Sequence, residues 1–189
     1  MPSANRPLAD LLAAVSARSP APGGGSAAAW AGAIAAALLE MSCAFADDDV
    51  MADRASTLQA ELLESAEREL HSYQPVLEAV RLAADDPARE QRLADALSRA
   101  SDVPLMIVRS AAEVAEGAAA IAARSKPAMK GDAAAGVLLA EAACQAAARL
   151  VQINLAGHEE DPRLAEIGGL LRRAADARRS VIDANHPAL

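Results

Sequence analysis

Among the residues whose types and spacing could do chemistry, the stretch Ser19-Pro20-Ala21-Pro22-Gly23-Gly24-Gly25-Ser26 comes first. Two prolines stiffen its approach, three glycines permit backbone angles closed to other residues, and Ser26 is placed to cap the helix that follows. Such a loop exposes backbone N–H groups. At a helix N-terminus those donors and the helix dipole favour an anionic or carbonyl-bearing ligand. A tight structural turn is the alternative reading of the same residues. A nucleotide-type phosphate loop is excluded, because no Gly-Lys-Ser/Thr ending and no preceding strand exist. The other titratable groups suggest less. Glu67 and His71 share a helix face at i,i+4, but with Glu64 and Arg68 they read as a solvated surface. The Glu-x-x-His pairs of a di-iron bundle are absent, and His158-Glu159-Glu160-Asp161 reads as a polar turn capped by Asp161. Cys43 and Cys144 lie far apart inside apolar helical patterns, which suits buried thiols in a reducing compartment better than a disulfide or metal site.

The elements that must position the loop are helical. Leu8, Leu11, Leu12 and Val15 repeat at helical spacing after Pro7, and Arg18 to Ser26 breaks that helix. In the second helix Trp30, Ile34, Leu38, Met41 and Phe45 share one face, while Ala28, Gly32 and Ala36 form a small-residue strip suited to close packing. This nearly uncharged, Ala-rich helix is expected at the centre of the fold. A third helix is predicted over 53–84, kinked rather than ended by Pro75, and a fourth runs from the Asp85-Asp86-Pro87 break to an interruption at Pro104. The pattern resumes at Leu105. Asp132 is placed to cap a further Ala-rich helix reaching about Leu155, and Asp161-Pro162 opens the last one. There Leu164, Ile167, Leu171, Ala175 and Ile182 face inward, with Arg172, Arg173 and Arg179 outward and Arg178 near the boundary.

Composition agrees. With 53% hydrophobic residues, many of them alanine, and 2% aromatic, the 189-residue chain can bury a core but lacks the filling of a sandwich or barrel. An all-α, up-and-down-like bundle of five to seven helices is expected, forming a single domain over 1–189. A net charge of −8 without a basic stripe argues against nucleic acid as a partner. The segment from Ser26 to Phe45 has the length of a membrane span, yet Glu40, Ser42 and the following Asp47-Asp48-Asp49 would be costly in lipid, so no membrane partner is expected. The opening MPSANRPLADLL has neither the charged nor the long apolar region of a signal peptide, and a cytoplasmic location follows.

SPAPGGGSAAAWAGAIAAALLEM resembles the signature of the formiminotransferase-cyclodeaminase C-terminal family, the cyclodeaminase and cyclohydrolase proteins of one-carbon folate metabolism. Ala100 to Pro104 resembles its Ala-Thr-x-Val-Pro stretch, Gly131-Asp132 its Ser-Asp helix start, and Val151-Gln152-Ile153-Asn154-Leu155 its Asn-rich apolar ending. The resemblance implies a helical homodimer that binds a tetrahydrofolate derivative in a cleft holding the glycine loop. It implies no tightly bound cofactor and no metal. Two reactions are implied. In the cyclohydrolase one, water attacks the methenyl carbon bridging N5 and N10, which needs a base and a pocket for a cationic ring. In the cyclodeaminase one, N10 attacks a formimino carbon and ammonia leaves, which needs a proton donor.

Carried over onto this sequence, Pro22, Gly23, Gly24, Gly25 and Ser26 become substrate-binding, and Asp132 orients the folate or exchanges protons with it, a simple helix cap being its alternative. Three departures stand beside these. Where the family usually has an Asp before an aromatic in the third helix, this chain has Glu69 before Tyr73, a catalytic candidate one methylene longer. Where it tends to have Gly-Asn, this chain has Ser125-Lys126, which makes Lys126 a cationic binding candidate. Asp47-Asp48-Asp49 replaces a lysine-rich stretch suited to an acidic folate tail. A folate-dependent cyclodeaminase or cyclohydrolase is the leading reading; a homodimer that has lost catalysis and acts as a ligand-binding or interaction module is the rival.

Overall fold

A computed structural model describes residues 5–185, and no strand occurs among them. The helices are α1 (Leu8–Ser16), α2 (Gly24–Phe45), α3 (Asp49–Ser72), α4 (Gln74–Val80), α5 (Arg89–Ala100), α6 (Asp102–Arg124), α7 (Lys130–Asn154) and α8 (Pro162–Asn185). Six of them have twelve residues or more, α1 and α4 being the short ones, so the all-α bundle expected from the sequence is the one observed.

Their ends have local causes. Asp47 takes a left-handed φ of 55°, the Asp48 side chain accepts from the Met51 N–H at 3.0 Å, and Asp49 sits in the first turn of α3. The acidic triplet therefore turns, caps and complements the dipole of one helix start. Asp48 also pairs with Arg124. Asp161 accepts from the Arg163 N–H at 3.0 Å in front of Pro162, as expected for the start of α8.

Three boundary expectations need correction. The long third helix is divided: α3 stops at Ser72, Tyr73 (φ −92°, ψ −7°) makes the joint, and α4 begins with Pro75 in its first turn. Proline lacks the N–H that a continuous helix would use and fits a first turn better. Ser26 does not cap α2. Gly23 is the cap residue, and the Ser26 hydroxyl, 1% exposed, donates to the Ala66 carbonyl of α3 at 3.2 Å. Asp132 likewise is no cap. Met129 takes that position after a single 3-10 turn (Pro127–Met129), and Asp132 lies exposed in the first turn of α7.

The long helices alternate in direction around α2. Gly25 and Asn154 line one cleft, Gly32 faces Ala143, Gly136 faces Ala35, and Phe45 shares a cleft with Met129, so α7 runs antiparallel to α2. The Ser26–Ala66 bond and the Gly32–Leu62 contact make α3 antiparallel as well, while Gly117 against Leu39 and Arg124 beside Phe45 make α6 parallel. Bidentate Arg109–Glu166 and Arg173–Glu116 pairs lay α8 parallel along α6. The glycine loop, the α3–α6 connection and the α7–α8 turn thus gather at one end of the bundle. The α2–α3 and α6–α7 turns occupy the other.

Inside, α2 packs through its small residues. Ala28, Ala29, Gly32, Ala33, Ala35 and Ala36 are buried with Leu39 and Cys43. A Cβ on Gly32 would stand 3.1 Å from Leu62 Cδ2, which shows how close α3 comes. The larger stripe points the other way. Ile34, Met41 and Phe45 are 51, 36 and 61% exposed, and Ile34 and Met41, with Leu8, Leu11, Trp30, Leu38 and Leu63, shape an apolar groove of about 430 Å3 along α1, α2 and α3. Both α2 and the span 127–154 are apolar and long enough to cross a membrane, with mean hydropathies of 1.6 and 1.4, and half of each such window is buried inside the bundle. Cys43 and Cys144 are free and buried, and burial pushes their thiols up to about 11 and about 12, the inert state expected of them.

Candidate functional site

At the glycine-loop end, Pro20, Ala21, Gly23, Gly24 and Gly25 form one wall of a cleft of about 190 Å3. Glu69, Ser72 and Tyr73 at the end of α3, Ala100 and Pro104 at the α5–α6 corner, and Leu150 and Asn154 at the end of α7 complete it. Its floor is the first turn of α2, whose leading backbone N–H groups have no acceptor within their own helix.

The three glycines are not there for a left-handed backbone. Gly23 is extended (φ −132°, ψ −152°), and among the described glycines only Gly157 has positive φ. At Gly25 alone of the three, space is the requirement. A Cβ on Gly25 would lie 2.5 Å from Glu69 Cδ and 2.7 and 2.9 Å from its two oxygens. The absent side chain of α2 is the seat of the Glu69 carboxyl.

That carboxyl is unusual in its surroundings. Oε2 accepts from the Ser72 hydroxyl at 3.0 Å, while Oε1 is buried and meets no donor in the protein. Burial pushes the Glu69 pKa above its ordinary value, and the Ser72 bond opposes the shift only in part. A carboxyl with one anchored and one orphaned oxygen, beside open N–H groups, can take or give a proton at a ligand held against the loop. Gly25→Ala should expel it: helical circular dichroism stays that of the wild type, while the Glu69 carboxyl, followed by NMR titration, ionises nearer the ordinary carboxylate range.

Of the residues expected at the site, Gly23, Gly24, Gly25 and Glu69 meet in this cleft. Pro22, joined to Ala21 by a cis peptide bond, and Ser26 do not line it. Lys126 lies at the opposite end of the bundle, in a second cleft with Phe45, Ala46, Asp47, Arg124, Ser125 and Met129, and Asp132 follows close by in α7. The 22 residues of α2, about 33 Å at 1.5 Å each, separate the two ends. Asn154 was not foreseen as a site residue, nor were Ala100 and Pro104, although their segments had been singled out by resemblance. Its Nδ2 donates to the Ala100 carbonyl at 3.2 Å, which ties two cleft walls together. Among the described residues no group of three or more His, Cys, Asp or Glu side chains is placed to hold a metal ion.

A methenyltetrahydrofolate cyclohydrolase of Methylorubrum extorquens is 30% identical over 189 residues, covering 90% of this chain and 91% of that protein. The crystal structure of a formiminotetrahydrofolate cyclodeaminase from Thermotoga maritima superposes with a TM-score of 0.85 at 21% identity, over 95% of this chain and 96% of that one, and so shares the fold. Residues 7–168, a span that holds the glycine loop, Glu69 and Asn154, match the formiminotransferase-cyclodeaminase family, and the chain is a member of it, its function lying in folate-dependent one-carbon chemistry of the cyclodeaminase or cyclohydrolase type.

Proposed function

We propose that the chain is an enzyme that opens methenyl-tetrahydrofolate by hydrolysis, with Glu69 as the base. The observation that carries this reading is the desolvated Glu69 carboxyl with its unpartnered Oε1 over Gly25. Water bound at Oε1 loses a proton to Glu69 as its oxygen bonds to the methenyl carbon. The hydroxyl so formed gives its remaining proton to solvent. As its oxygen becomes the formyl carbonyl the bond from carbon to N5 breaks, N5 takes the proton held by Glu69, and the formyl group stays on N10, with one proton released overall and the carboxylate restored. The ionised carboxylate complements the cationic ring of the reactant, and the N–H groups at the start of α2 complement the oxygen anion that forms on the attacked carbon. Neither step calls on a metal or a tightly bound cofactor. The identity with a methenyltetrahydrofolate cyclohydrolase supports this substrate over the formimino one.

The test is loss of the methenyl chromophore in the presence of the enzyme. Turnover above the buffer rate supports hydrolysis. Tight binding without turnover supports the ligand-binding module, and no binding overturns the folate reading.

The working unit in this proposal is a homodimer. A cleft of about 190 Å3 is smaller than the roughly 300–1,000 Å3 that encloses a whole ligand, so a further wall is needed. Lys126 and Asp132 are too far along α2 to supply it from the same chain. The stripe from Trp30 to Phe45, with Leu8 and Leu63, offers a partly exposed apolar face of the kind that marks a protein–protein interface. Two copies joined on it by a two-fold axis perpendicular to α2 set their α2 helices antiparallel. The Lys126–Asp132 end of one chain then meets the glycine-loop end of the other. Ile34→Asp, which buries a charge at the middle of that stripe, should give a monomer by analytical ultracentrifugation at micromolar concentration where the wild type sediments as a dimer. Buried free thiols suit a reducing compartment, and we place the reaction in the cytoplasm.

A further inference from the structure

One wall of the cleft is the corner where α5 meets α6, and its attachment to the rest of the molecule rests on polar bonds. The hairpin of α4 and α5 carries its own small apolar cluster, Val76, Ala96 and Ala100 with Leu93 and Leu97, apart from the main core. Three buried side chains of that size cannot by themselves fix where α5 sits against the bundle. Polar bonds do so at the corner. Asn154 holds the Ala100 carbonyl from α7. From α8, Arg163 donates through Nη1 to the Ser98 carbonyl at 2.8 Å and to Asp102 Oδ1 at 2.9 Å, and through Nη2 to Ser98 Oγ at 2.8 Å.

The guanidinium is itself held. Its Nε and Nη2 donate to the Asp161 carboxylate at 3.0 and 2.8 Å, and the side chains of both residues are only 19% exposed. One planar cation thus joins the start of α8, the end of α5 and the start of α6, on either side of Ala100 and a turn ahead of Pro104. The fork geometry needed to reach a carbonyl, a hydroxyl and two carboxylates at once belongs to arginine and not to lysine.

We infer that Arg163 is a positioning residue for the cleft, which holds the Ser98–Pro104 corner as the wall against which the ligand is pressed onto the glycine loop and Glu69. The inference rests on the functional reading above, since it assumes that the ligand sits in this cleft. Arg163 does not line the cleft and takes no part in proton transfer.

Two variants test it against a control that breaks a comparable pair farther along the α6–α8 seam, Arg173→Gln, which loses the bond to Glu116 about three turns beyond Pro104. Amide hydrogen exchange over 98–104 and steady-state kinetics with methenyl-tetrahydrofolate are measured on the wild type, R163Q, R163K and R173Q. R163Q is expected to speed exchange over that corner alone and to raise KM about tenfold with a smaller change in kcat, as a wall displaced by a fraction of an ångström would. R163K, which keeps the charge and loses the fork, is expected to fall between R163Q and the wild type. R173Q should leave both readouts unchanged. Equal effects of R163Q and R173Q, or a loosened corner with an unaltered KM, would overturn the inference while leaving the enzyme reading intact. A wild type that neither binds nor turns over the substrate overturns the enzyme reading, and the inference with it.

Discussion

Glu69→Gln is expected to lower turnover of methenyl-tetrahydrofolate by about a thousandfold, within the range of 10²–10⁴ that a positioned acid or base supplies. Glutamine keeps the length of the side chain and can still meet Ser72 at 3.0 Å, so the ring should bind and the chemical step should fail. KM therefore moves little and kcat carries the loss. Stability should change in the opposite sense. The folded-state pKa of Glu69 is raised, so its stabilising contribution is complete below the unfolded value near 4.5 and is lost as pH rises through the folded value. At neutral pH the wild type holds a desolvated carboxylate that the glutamine variant lacks. The variant should melt at or above the wild-type temperature at pH 7, and the difference should shrink as pH falls toward 4.5. A variant that is both inactive and less stable at pH 7 would point to a structural role instead.

The same group separates the two family reactions by pH. If Glu69 activates water, kcat rises with pH through its raised pKa, because the ionised form is the working one. If it delivers a proton to a departing ammonia, kcat falls over that interval. Measuring both substrates across the pH range of Glu69 therefore decides between hydrolysis and deamination with no further variant.

Much of the fold is legible in the sequence because it rests on local chemistry. The 3.6-residue period of the apolar positions marks the long helices, and Asp161-Pro162 marks the start of α8. The points that escape are those decided by contacts between distant segments. Ser26 has every local attribute of a cap, yet its hydroxyl is drawn into the α2–α3 contact by Ala66, forty residues away. The face of Trp30, Ile34, Leu38, Met41 and Phe45 has the period of a core stripe, yet in the single chain the small residues take the interior because three helices crowd against them. The glycine loop is legible as the start of a buried helix, and the structure sets it in the wall of a cleft. What the local sequence does not carry is why Gly25 must be glycine, since the atom that fills its place is the carboxyl of Glu69 on another helix. Asn154 and the Ala100–Pro104 corner belong with it in that respect: each is recognisable as a segment, and only the folding of α7 against α5 and α6 makes them two walls of one cleft.

A mixture of two inactive variants is expected to regain activity. Glu69→Gln and Asp132→Asn lie at opposite ends of the bundle, about 33 Å apart along α2, so no single chain can bring both residues to one ligand. If Asp132 serves the Glu69 cleft of the other chain, each variant homodimer lacks one group at both of its sites. In a mixed dimer the Glu69→Gln chain lends its intact Asp132 to the intact Glu69 of its mate, and one of the two sites is whole. Co-expressed in equal amounts, the chains form mixed dimers half the time, so about one quarter of wild-type activity should return. The figure depends on geometry and not on the rate of either variant. An active Asp132→Asn would remove Asp132 from the chemistry while leaving Glu69 and the glycine loop as the site. Two inactive variants that stay inactive together would place all the working groups within a single chain or in the fold itself. The apolar stripe links this outcome to assembly: Ile34→Asp carried on both chains should abolish the recovery, since in the proposed dimer one face both joins the copies and brings Asp132 to the cleft.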